Sequence, residues 1–134
     1  MSQESKTPIR KTGTGFQLDK IMSMGLPIVV DGVHIVDMVK NARIYFNGKM
    51  QVWMIGAAEV RSISDTARLR LGEGLAEFAK SGGKHIVLIC PNTNIGNIFK
   101  LSGVRANLHV KVFADPKLAA EEANRLVVAK PAPP

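Results

Sequence analysis

The chain has one cysteine, one tryptophan, one tyrosine and five phenylalanines among its 134 residues, and each scarcity removes a class of explanation. A lone thiol, Cys90, cannot close an internal disulfide; this excludes a cysteine-stapled scaffold and suits a reducing compartment. His34, His85 and His109 stand far apart in sequence, and no Cys or His spacing matches a metal site. No apolar run approaches the roughly 18 residues of a membrane span, HIVLIC at 85–90 being the best. The opening MSQESKTPIRKTGTG lacks the apolar stretch of a secretory leader. A cytoplasmic protein without cofactor is expected. The shortage of aromatics also bears on the net charge of +7, which raises nucleic acid as a partner. No basic run is longer than Arg10-Lys11, so there is neither a basic stripe nor a set of interleaved rings on which bases could stack. Nucleic acid is set aside.

What remains is ordinary globular composition, 46% apolar and 22% charged, in a chain of single-domain length. Residues 1–14, polar and basic, read as a loose arm, and 129–134, AKPAPP, as a Pro-rich tail that cannot hold a helix. The domain is placed at 15–128. Within it, short apolar runs alternate with helical periodicity. PIVV at 27–30 reads as a strand. Ile35, Met38, Val39, Ala42 and Tyr45 or Phe46 then mark a helix over 33–46. KMQVWMI at 49–55 reads as a strand, and Ala67, Leu71, Leu75, Phe78 and Ala79 mark a helix over 67–80, stopped by Ser81-Gly82-Gly83. HIVLIC is apolar throughout, as a strand covered on both faces should be. A short helix carries Ile95, Ile98, Phe99 and Leu101 and is expected to end at Gly103. HVKVF at 109–113 is a strand, and Asp115-Pro116 opens a last helix with Ala119, Ala123, Leu126 and Val127 inward. Strand and helix alternating in this way predict an α/β fold with a mostly parallel four- to five-stranded sheet and crossover helices. Asp31-Gly32 and Asn47-Gly48 also permit a hairpin meander over 27–55; the helical face of 33–46 is the preferred reading.

The chemistry-bearing stretch is RSISDTARLR at 61–70. Ser62, Ser64, Asp65 and Thr66 precede the helix at 67–80, and one of them is expected to cap it, an effect of about 0.5–2 kcal/mol. Capping leaves Arg68 and Arg70 unexplained, since cations in a first turn oppose the helix dipole by about 0.3–1 kcal/mol. With Arg61 they suit a visiting anion, or a phosphoryl group on Thr66 or Ser64. Cys90 ends a strand before Pro91, where open α/β sheets hold ligands, but His85 points to the opposite face and a packed thiol is the simpler reading. Gly72-Glu73-Gly74 interrupts a helix at about 1 kcal/mol per glycine, and close packing against the sheet or a partner's backbone would account for it. Met22 and Met24, in KIMSMGLP, read as core filling.

The segment GGKHIVLICPNTNIGNIFKLSGVRANLHVKVFADPKLAAEEANRL resembles the C-terminal half of STAS domains of the anti-sigma-factor-antagonist type. The likeness lies in the strand after a Gly-containing turn, the Pro-containing loop, Phe99-Lys100-Leu101 before Ser102-Gly103, Phe113-Ala114-Asp115, and the Ala-Ala of the closing helix. It extends over about 49–128. The family places Asp and a phosphorylatable Ser or Thr at the start of its second helix, here Asp65-Thr66; Ala67-Arg68 stands where the family has a further hydroxyl and a glycine. The family's two opening strands have no clear counterpart, although GFQLDKIM offers room for one. The resemblance implies a non-catalytic regulatory protein-binding module, phospho-switched near residue 66, with a kinase or anti-sigma-like partner and room for self-association. A small anion or lipid at the same helix start is the alternative.

Overall fold

The computed structural model describes residues 21–46 and 50–128. The expected arm at 1–14 and tail at 129–134 lie outside those residues, as does the Asn47-Gly48 turn. Strand β1 is Ile21–Gly25, β2 Val29–Val30 and helix α1 Gly32–Arg43; β3 is Val52–Gly56, β4 Ser62–Ile63 and α2 Asp65–Lys80. Strand β5 is His85–Ile89, α3 Thr93–Arg105, β6 His109–Phe113 and α4 Pro116–Val128. The main sheet runs β1-β3-β5-β6, every pair parallel. A second, two-stranded parallel sheet joins β2 to β4. The chain is therefore α/β with a parallel four-stranded sheet, consistent with a STAS-like fold.

The register stacks the strands in rows. Ile21, Val52, His85 and His109 share the first, and Met22, Trp53, Ile86 and Val110 the second. Because side chains alternate sides along a strand, odd and even rows serve different cores. Met22, Met24, Trp53, Ile55, Ile86 and Leu88 pack against α1, α2 and α3. Ile21, Val52 and Val87 pack against Ala119 and Ala123 of α4. Both faces are covered, which explains why HIVLI is apolar without alternation. Trp53 and Phe78 are fully buried, with rings edge-on at 5.4 Å; each large side chain so buried contributes about 1.5–3 kcal/mol.

Several expectations need correction. The first strand of the main sheet is Ile21–Gly25, in the methionine-rich segment, while only Val29–Val30 of PIVV pairs, and it does so in the small sheet. The hairpin meander over 27–55 is excluded: Gly32–Arg43 is helical, its buried face formed by Ile35, Met38, Val39 and Ala42. That helix ends before Tyr45 and Phe46, which still pack on the core. Gly103 does not end α3. It is buried inside the helix, because a Cβ there would stand 2.2 Å from Val110 Cγ2.

Candidate functional site

Residues 61–64 are fastened before α2 begins. Arg61 N–H donates to the Ile28 carbonyl at 2.7 Å and Ser64 N–H to the Val30 carbonyl at 3.0 Å, while Ile63 is buried. Ser64 is the N-cap: its Oγ accepts from Ala67 N–H at 3.1 Å, and its carbonyl accepts from Arg68 N–H at 3.0 Å. The half-buried Ser64 hydroxyl is thus committed to the helix end. Ser62, Asp65 and Thr66 are exposed.

Thr66 has a special neighbour. A Cβ on Gly32 would stand 2.7 Å from Thr66 Cγ2, so the threonine methyl seats against the first residue of α1. The starts of α1 and α2 therefore lie side by side at the carboxyl edge of the sheet. Each start presents backbone N–H groups without intrahelical partners. At the α1 start, His34 Nδ1 accepts from Asp31 N–H at 2.9 Å, which satisfies one of them.

The three arginines diverge. Arg61 lines a concavity at the sheet's carboxyl edge with Ile28, Glu59 and Asn92. Arg68 lines the groove between α2 and α3, facing Ser102 and Arg105. Arg70 lines the groove between α1 and α2, where its Nη1 donates to Glu73 Oε1 at 2.9 Å. Of the three, Arg70 shares the face of Thr66, since residues four apart lie one above the other on a helix. Sequence periodicity carried that i,i+4 relation; it could not show that the face meets α1, because the Gly32 contact joins residues 34 positions apart.

Cys90 is buried, and its thiol donates to the Asn92 carbonyl at 3.3 Å. Burial pushes the Cys90 thiol above its ordinary pKa, opposite to what an attacking thiolate requires. His85 belongs to the α4 side of the sheet, its ring stacked on His109 at 5.4 Å between centroids, and offers Cys90 no base. Among the described residues no three His, Cys, Asp or Glu gather as a metal-holding group, no polar or charged side chain is fully buried, and no helix is long and apolar enough to cross a membrane. No known family model, curated protein or solved structure matches the chain.

Proposed function

We propose that the chain is a non-catalytic regulatory module that docks a protein partner, of kinase or anti-sigma-like type, at the start of α2, with Thr66 as the switched residue. One observation carries this reading. Thr66 is exposed and its methyl is seated on Gly32, so a charge added to this side chain stands beside two helix starts, with Arg70 one turn further along α2. A phosphoryl group adds about −1.5 to −2 charges and three strong acceptors. Free amides and the positive ends of two dipoles stabilise such a charge, and Arg70 can exchange its exposed, weak pairing with Glu73 for a charge-assisted bond. Asp65 and Asp31 border the same spot and oppose the added charge, so the modification raises the density of negative charge at a docking surface. Interface charges of this kind govern partner choice and association rate.

The test begins with mass spectrometry of the chain recovered from its own cells, where phosphate on Thr66 is expected. Thr66→Glu and Thr66→Ala, titrated against the co-purified partner, should move its affinity in opposite directions, separated by roughly tenfold or more. Equal affinities would refute the switch. The side-by-side helix starts also favour a free anion as a second reading. Inorganic phosphate raising the melting temperature of unmodified protein by mass action, and losing that effect in Thr66→Glu, would decide for it.

A further inference from the structure

Strand β6 ends the main sheet, and among the described residues nothing pairs with its outer side. The direction of its backbone groups follows from two bonds. His109 N–H donates to the Lys84 carbonyl at 2.9 Å, and the Phe113 carbonyl accepts from Cys90 N–H at 2.8 Å. Backbone groups alternate sides along a strand, so His109, Lys111 and Phe113 turn theirs to β5, while Val110 and Val112 turn theirs outward. Two N–H donors and two carbonyl acceptors therefore line the open edge.

Proteins ordinarily blunt such an edge with lysine, proline or a covering segment. Lys111, the central residue, does not blunt this one. It lies on the α4 face, where its ammonium donates to Glu122 at 2.5 Å. Helix α3 lies close over the strand through Gly103 against Val110 and Gly96 against Val112, yet Val112 stays 39% exposed. Apolar side chains flank the edge on both faces. Ser102 and Ala106 face α2, which puts Val104, 56% exposed, on the opposite flank of α3, beyond β6. On the other face Leu118, 50% exposed, lies one turn before Glu122 on the flank of α4 that reaches Lys111.

We infer that β6 is the pairing edge for a second copy of this chain, joined antiparallel about a two-fold axis at Lys111. In that register Val110 of each copy exchanges both backbone bonds with Val112 of the other, and the two Lys111 residues meet at the non-hydrogen-bonded position between them. The pattern is self-complementary, as an isologous contact requires. Valine opposes valine on the α3 face, and Val104 and Leu118 enclose the seam. Lysines directly opposite each other repel; in each copy Lys111 keeps a Glu122 carboxylate that it shares with Arg125, which reduces the repulsion without removing it. The self-matching register favours a second copy over a foreign extended peptide, which would fill the same four bonds without it. The product is one continuous sheet of twice the four strands, and its seam shares no residue with the α2 start.

Sedimentation velocity of the full chain over about 1 µM to 1 mM tests the pairing. Val112→Pro removes an outward N–H that the β5 ladder does not use, so an edge strand tolerates it, and a circular dichroism melt checks the fold. A Val104→Glu/Leu118→Glu double variant leaves the backbone intact and decides the matter alone if the proline variant fails to fold. Wild type should dimerise reversibly, and each folded variant should dimerise at least about tenfold more weakly. A wild type that stays monomeric throughout overturns the proposal. So does a dimer that the folded variants retain. A monomer whose Val112 N–H resists hydrogen exchange overturns it in favour of another occupant of the edge.

Discussion

Gly72 and Gly74 stand two residues apart in α2 with opposite surroundings. A Cβ on Gly74 would lie 2.4 Å from Val39 Cγ2, whereas a Cβ on Gly72 would meet nothing within 4 Å. Gly74 is the point where α1 closes on α2. Gly72 floors the groove toward α3, and nothing in the fold requires a glycine there. Gly72→Ala should therefore raise stability by about 0.5–1 kcal/mol, the usual helix-interior gain. Gly74→Ala should lower it by about 1–3 kcal/mol, the cost of overpacking. Urea denaturation of the two variants checks both signs. In the sequence both glycines were the same oddity, because the atom that distinguishes them belongs to a helix 35 positions earlier, at Val39. The same limit applied to RSISDTARLR. Its residue types announced a helix start, while the choice of Ser64 as the cap rested on the first turn itself, and the contact of Thr66 with Gly32 awaited the position of α1.

At the scale of the element, α2 owes its start to one side chain. Ser64→Ala removes the acceptor for Ala67 N–H, and about 1 kcal/mol of stability should go with it. The loss should be visible as a lower midpoint of thermal unfolding with an unchanged circular dichroism spectrum in the cold. Element type was legible wherever the apolar period was long. The face of α1 through Ile35, Met38, Val39 and Ala42 and that of α4 through Ala119 and Ala123 are buried as their spacing required. Short strands were less legible. Ile21–Gly25 carries two methionines and a serine in place of the β-branched run that marks a strand, and it is held by its register with Val52–Gly56. PIVV has the strand composition, but only Val29 and Val30 are in register with a neighbouring strand. The glycine inside α3 resembled a helix stop until β6 was seen lying against it.

At the scale of the whole molecule, the described residues cover the sheet's two faces unequally: three helices pack on one and α4 on the other. The thinner face carries the half-buried His85. Burial first, then the positive charge of His109, Lys111 and Lys84, pushes its pKa below the ordinary value, with Glu122 pulling the other way. The folded protein thus favours neutral His85, while the unfolded chain takes up a proton near pH 6.5. Wherever the unfolded state binds more protons, stability falls as pH falls. The melting temperature should accordingly be flat above about pH 7 and decline below about 6.5, with a shallower decline in His85→Asn. A variant that tracks wild type through this window would place the proton uptake elsewhere. Glu122, held at about 2 by hydrogen bonds from Arg125 and Lys111, loses its contribution only in stronger acid, below the ordinary carboxylate range. Composition and periodicity by themselves determined an α/β chain, its alternation of strand and helix, and most inward faces, because each of these is written in the spacing of a single segment. The tertiary structure alone decided the strand order, the open edge at β6, the meeting of Thr66 with Gly32 and the parting of Arg61, Arg68 and Arg70. Those relations join residues distant in the chain, and packing in three dimensions sets them.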